Sequence, residues 1–221
     1  MNKVVFISPH PDDETLGCGG AIQKHKNNKD KIYWINFTSI KNIKNKNIKI
    51  NYNRDNEIKK IINFYKFDYF KNLNFETTML DTVPLSELIH KLSLEFKKIK
   101  PNIIYMPNPT DTHSDHKVVY EVITSCSKWF RHKSIKKLLI YETLSETNFN
   151  FNNKKFSPNE FINITKYINR KIKAVNFYKS EIKKHPFPRN NNVIKSLAEL
   201  RGSESGYKYA EAFQCIYNLI D

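Results

Sequence analysis

"KVVFISPHPDDETLGCGG", residues 3–20, runs from an apolar stretch into a knot of charges and then into glycines. Its first six residues read as a buried strand that stops at Pro9, because the run is short, β-branched and aromatic. "GCGGAIQKHKNN" (17–28) reads as the glycine-rich opening of a helix. Between them, His10, Asp12, Asp13 and Glu14 crowd one imidazole and three carboxylates into five positions. Burying so many ionisable groups beside a strand is costly unless something compensates their charge.

Working outward, strands alternate with helices. "KIYWINFTS" (31–39) is a second strand. "RDNEIKKIINFYKF" (54–67) places Ile58, Ile61, Ile62 and Tyr65 at helical spacing. "YFKNLNF" is a third strand, and "LSELIHKLSLEFKKIK" (85–100) is an amphipathic helix stopped by Pro101. "NIIYMPN" (102–108) is a fourth strand, and "PTDTHSDHKVVYEVITSCSKWF" is a loop feeding a helix. "IKKLLIYET" (135–143) is a fifth strand. The pattern predicts a long helix over about 158–183, another over about 191–201, and a late strand at "EAFQCIYN". The Lys/Asn/Ile-rich segment 40–53 reads as a surface loop. Such βαβ alternation predicts a single Rossmann-like α/β domain spanning 1–221, a mostly parallel sheet flanked by helices. In that architecture ligands bind beyond the carboxyl ends of the strands, where both "HPDDE" and "DTHSDH" fall.

Composition narrows the class. The 221 residues suffice for one full core, and 39% hydrophobic with 13% aromatic content excludes a disordered chain. No apolar run reaches the length of a membrane span, and the amino-terminal apolar stretch is too short for a secretory signal, so a cytoplasmic protein is expected. Cys18, Cys126 and Cys215 lie far apart, which argues against a disulfide framework and against a thiolate metal site; each is read as a small buried hydrophobe. The formal charge of +15 is nearly all scattered lysine, which reads as a solvated coat, and nucleic acid is not an expected partner. An anionic ligand stays open.

Imidazole and carboxylate form a ligand set for zinc or a similar divalent ion, and catalytic sites use about three such ligands with an open position. A divalent cation would offset the clustered carboxylates. His113 and His116, at i and i+3 on a helix start, share a face, so one can bind metal while the other serves proton transfer or charge stabilisation. Of the adjacent Asp12 and Asp13, one can ligate while the other acts as a base. The competing reading is an acidic first helical turn favoured by the helix dipole, with ordinary histidines. His25, His90, His132 and His185 stand outside any such constellation.

"SPHPDDETLGCGG" resembles the (A/P)HPDDE motif of the PIG-L (LmbE-like) deacetylase family, and "DTHSDH" resembles its HxDH motif. "NRDNE", with Arg54 and Glu57, matches the family's RxxE spacing. "LRGSESGYKYAEAFQ" is similar to its RGxxxGxxYAEAF ending. The likeness covers nearly the whole chain in the right order, with Ser114 standing where many members have proline. It implies a Rossmann-like fold and a zinc-dependent hydrolase, zinc or another divalent transition metal being the cofactor, that removes an N-acetyl group from an amino sugar or its conjugate. It further implies His10, Asp13 and His116 as metal ligands and Asp12 as the general base acting on water at the metal. His113 would stabilise the oxyanion or protonate the leaving amine, and Asp115 would be the partner that orients His113. Arg54 would bind substrate hydroxyls, or alternatively form a structural salt bridge with Glu57. Glu14 is expected to support the metal ligands from behind or to anchor the loop, and not to act in catalysis.

Three other readings stand beside it: a deacylase for a nucleotide-linked or otherwise anionic sugar, a magnesium-dependent phosphoryl transferase, and a basic nucleic-acid-binding module without catalysis. The loops at about 40–53, 74–84 and 144–158 are expected to shape the pocket. Arg189, in "HPFPR", reads as part of a proline-stiffened connector or of the pocket rim.

Overall fold

The computed structural model describes residues 1–39, 54–151 and 154–220, so the expected surface loop at 40–53 lies outside the described residues. Strands β1 (Lys3–Ser8), β2 (Lys31–Ser39), β3 (Tyr69–Glu76), β4 (Ile103–Met106) and β5 (Lys137–Tyr141) pair in parallel. Strands β6 (Glu160–Asn163) and β7 (Ala210–Asn218) complete one seven-stranded sheet in the order β3-β2-β1-β4-β5-β7-β6, with β7 antiparallel to both neighbours. The chain winds outward from β1 to β3, then crosses to β4 and winds the other way. The reversal leaves a crevice between β1 and β4, beyond their carboxyl ends.

Side chains alternate across β1 and so build two core layers. Val5 and Ile7 join Ile35, Ile104 and the inner stripe Leu88, Leu92, Phe96 and Ile99 of α3 (Leu85–Ile99), together with Val119 and Ile123 of α4 (Ser114–Cys126). Val4 and Phe6 face the opposite layer, where Trp34, Tyr105 and Phe213 pack with Ile22 of α1 (Asp13–Asn27) and Ile61 and Tyr65 of α2 (Arg54–Tyr65). Every residue of α1 from Asp13 to Gln23 is buried. This helix has no solvated face in its first half, and its glycines permit that. A Cβ at Gly17 would lie 2.4 Å from Tyr141 Cδ2, and one at Gly20 would lie 2.3 Å from Ile164 Cγ2.

The long helix expected over about 158–183 is not formed. Residues 160–163 are the edge strand β6, in register with β7 from Glu160↔Phe213 to Asn163↔Ala210. Only Ile168–Val175 is helical (α5), and 176–190 is irregular. Pairing with β7 overrides a helical pattern that is weak in this segment. The helix after it (α6, Asn191–Ser203) and β7 form where expected. Cys18 and Cys126 are buried thiols, whereas Cys215 in β7 is half-buried; all three are free. Among the described residues no helix is long and apolar enough to cross a membrane.

Candidate active site

The loop after β1 is fixed before it offers any chemistry. Thr38 donates to Pro9 O through both its backbone N (3.1 Å) and its Oγ1 (2.8 Å), and Trp34 Nε1 donates to Ser8 Oγ at 2.8 Å. Glu14 is buried in the first turn of α1. Its Oε2 accepts from Asp12 N at 3.1 Å, and its Oε1 accepts from Tyr178 Oη at 2.8 Å. Burial pushes the Glu14 carboxyl up to about 8, so the group that pins the loop favours its neutral form near neutral pH. This is the anchoring role the sequence suggested.

On that scaffold Asp13 Oδ2 accepts from His10 N at 2.9 Å. The same oxygen lies 3.5 Å from His10 Nδ1 and 3.3 Å from His116 Nε2. The outward nitrogens of the two rings are each held by another carboxylate: His10 Nε2 is 2.9 Å from Asp115 Oδ2, and His116 Nδ1 is 2.7 Å from Asp111 Oδ2. Two imidazoles therefore aim their inner nitrogens at one carboxylate oxygen while outer carboxylates fix their orientation. That is the arrangement protein metal sites use. One atom from each of His10, Asp13 and His116 lies within 4.8 Å of the others. With their ring protons displaced, two imidazoles and one carboxylate suit a borderline divalent ion such as zinc.

The electrostatics agree. Burial opposes charge on His10 and His116, but the Asp115 and Asp13 carboxylates hold the first at about 9, and Asp13 and Asp111 hold the second at about 10. The pocket thus draws positive charge to itself, and Asp13, although buried, stays well below the ordinary carboxylate range because both imidazoles face it. A second group, His10, His113 and Asp115, is also close enough to share an ion. It is the poorer set, because its donors are already engaged. Asp115 accepts from Thr78 N (2.8 Å) and Leu80 N (3.2 Å), and His113 Nδ1 accepts from Asp115 N (3.1 Å) as the cap of α4.

These contacts add a partner to the expected pairing of Asp115 with His113: the Asp115 carboxylate hydrogen-bonds His10, and the Asp115 backbone N–H donates to His113 Nδ1. A residue at N2 of a helix naturally offers that N–H to the cap, which leaves its side chain free to cross to the other loop. With Nδ1 accepting, the proton of His113 is assigned to Nε2. Burial and the two neighbouring imidazoles push His113 down to about 4, so it is neutral. Its ring centroid is 4.4 Å from that of His10 and 5.6 Å from that of His116.

Asp12 occupies an uncommon backbone position, with φ 145° and ψ −30°. Burial pushes its carboxyl up to about 7 against the pull of Arg189. Arg189 Nη1 donates to Asp12 Oδ2 at 2.7 Å and to Glu181 Oε2 at 3.1 Å. Arg54 donates to Glu181 Oε1 and to Pro11 O (3.4 Å) and lies 3.2 Å from Glu57 Oε2, so the salt bridge with Glu57, given as the alternative to substrate binding, is present. Its buried Nε has no partner among the described residues. The sequence left Asp111 unassigned and did not join Glu181 or Arg189 to Asp12. The spacing of Asp111, five residues before His116, was a readable signal; no local signal marked the other two.

A family model described as PIG-L, GlcNAc-PI de-N-acetylase, matches residues 5–127, which carry β1 to α4 and both motif loops. Diacetylchitobiose deacetylase of Thermococcus kodakarensis is 23% identical over 98% of this chain and 84% of its own length. Two solved structures share the fold at a TM-score of 0.78. One is a conserved protein of Thermus thermophilus, 23% identical over 100% of this chain and 97% of its own. The other is N,N'-diacetylchitobiose deacetylase of Pyrococcus horikoshii, 20% identical over 98% and 84%. Because the family model takes in more than half of the chain, including every residue of both clusters, the chain belongs to the PIG-L (GlcNAc-PI de-N-acetylase) family.

Proposed function

We propose that the protein is a zinc-dependent amidohydrolase that removes the N-acetyl group from an amino sugar or sugar conjugate, giving a free amine and acetate. The observation that carries this reading is the convergence of His10 Nδ1 and His116 Nε2 on Asp13 Oδ2, with Asp12 next in the chain. Family membership and the sugar deacetylase among its relatives support the choice of bond and substrate class.

An amide is a weak electrophile with a poor leaving group, so hydrolysis needs an activated water, a stabilised oxyanion and a proton for nitrogen. A divalent ion held by His10, Asp13 and His116 supplies Lewis acidity, lowering the pKa of water and polarising a carbonyl. Asp12, pushed up to about 7, suits both halves of a proton shuttle, taking a proton at its carboxylate and returning it to the amine. His113 is neutral with its Nε2–H free to donate, which suits an oxyanion better than it suits proton delivery. Asp115 and Asp111 orient His10 and His116. Arg54, anchored to the loop and to Glu181, is the guanidinium that would bind substrate hydroxyls.

Acetate release from N,N'-diacetylchitobiose, N-acetylglucosamine and a nucleotide-linked N-acetylglucosamine, with zinc added to metal-stripped protein, tests the reading. Asp12→Asn should keep the metal and lose about 10²- to 10⁴-fold in turnover, whereas His116→Ala should lose the metal. No acetate from any of the three, or undiminished turnover in Asp12→Asn, overturns it.

A further inference from the structure

We propose that Arg189 is a positioning residue that clamps the Asp12 carboxylate, with Glu181 and Ser145 holding the clamp. Asp12 caps α1 with its backbone, yet its side chain makes no cap hydrogen bond, although acidic residues at this position normally accept from the first turn. Its Oδ2 is committed to Arg189 Nη1 instead, at 2.7 Å. The left-handed-region φ of 145° is strained for a residue with a Cβ and needs partners that over-determine it. Two are present: Glu14 on the Asp12 backbone N and Arg189 on its side chain.

The guanidinium is in turn fixed at every nitrogen. Nε donates to Ser145 Oγ at 2.7 Å, Nη1 also reaches Glu181 Oε2 at 3.1 Å, and Nη2 reaches Glu146 Oε1 at 3.4 Å. Glu181 uses its other oxygen to hold Arg54, so the two arginines share one carboxylate. Arg189 is largely buried, and three carboxylates, Asp12, Glu146 and Glu181, already surround it. A guanidinium so neutralised is a poor receptor for an anionic substrate group and a good rigid support. Its role is to keep the carboxylate off the helix cap and in one orientation.

This inference rests on Asp12 acting as the base, and its test separates the two ideas. Crystal structures of the metal-free chain and of its Arg189→Ala variant are compared, and the zinc-loaded proteins are assayed on N,N'-diacetylchitobiose. In Arg189→Ala the Asp12 carboxylate should leave its position and turn to the backbone N–H groups of the first turn of α1. Turnover should fall about 10- to 100-fold, with KM and zinc content within about twofold of the parent. Free guanidinium at sub-denaturing concentration should restore part of the kcat, and Arg189→Lys should fall between the two. An unmoved Asp12, a loss confined to KM, or no rescue overturns the clamp. If Arg189→Ala does not fold, the Arg189→Lys structure and kinetics decide. A parent enzyme that releases no acetate removes the deacetylase reading, while the position of Asp12 in the two crystals still settles the clamp.

Discussion

Asp111 Oδ2 lies 2.7 Å from His116 Nδ1, and Asp111 Oδ1 accepts from Thr147 Oγ1 at 2.6 Å, so a buried carboxylate joins His116 to the loop after β5. The contact orients the His116 ring with Nε2 toward Asp13. An outer partner of this kind is worth about 10- to 100-fold in metal affinity. Asp111→Asn should weaken zinc binding by that factor, measured by chelator competition, with the fold intact by circular dichroism. An unchanged affinity would mean that His116 is oriented by packing alone.

The glycines of α1 give a steric prediction. Gly17→Ala places a methyl 2.4 Å from Tyr141 Cδ2, a ring whose hydroxyl donates to Ile7 O of β1 at 2.9 Å. Alanine gains about 1 kcal/mol of helix propensity, but overpacking a close contact costs about 1–3 kcal/mol or more. The ring is tied to the strand that carries the motif, so the clash should win. Urea denaturation should show a net loss, and Gly17→Ala with Tyr141→Leu should recover part of it.

Much of this was legible in the sequence because the decisive features are local. A β-branched run meeting Pro9, and a charged loop meeting glycines, fix the β1–α1 turn within eighteen residues, and "DTHSDH" repeats the arrangement after β4. Long-range choices were not legible. Whether Asp115 faces His113 or His10 depends on how two loops meet across the crevice, and Arg189 reaches Asp12 from 177 residues away through a segment with no period. The strand at 160–163 was hidden for a similar reason, since only its pairing with β7 makes it extended.

His25 gives a pH dependence away from the candidate site. It lies in α1, its Nδ1 is 2.8 Å from Asp30 Oδ2 and its Nε2 is 2.9 Å from Tyr105 Oη. Burial pushes its pKa below the ordinary value, against the pull of Asp30. A folded-state pKa below the unfolded one means that protons bind the unfolded chain better. This contribution is complete above about pH 6.5 and declines as pH falls through the folded value. His25→Gln should flatten that part of the stability curve relative to the parent, with both proteins zinc-loaded and unfolded in urea between about pH 7.5 and about pH 5, a window that spans the imidazole value. Identical slopes would remove His25 from the acid response.

The carboxyl-terminal motif is tied to α1 through a buried ion pair. Glu211 in β7 accepts from Gly20 N at 2.8 Å and Ala21 N at 2.7 Å, and Lys171 Nζ of α5 donates to the same carboxylate at 2.7 Å. Both side chains are almost wholly buried. A Cβ at Gly20 would meet Ile164, so only a bare backbone lets β7 and its neighbours approach α1 this closely. The pair thus anchors, two turns downstream, the helix whose first residue is Asp13. Removing one partner leaves an uncompensated buried charge, which costs about 3–5 kcal/mol, whereas replacing both with apolar or neutral groups costs far less. Lys171→Met should therefore destabilise the fold severely, and Lys171→Met with Glu211→Gln should be more stable than the sum of the single variants by about 1–3 kcal/mol. Additive losses in a urea double-mutant cycle would show that the two side chains pack without electrostatic coupling, and the link from β7 to α1 would then run through the backbone bonds of Glu211 alone.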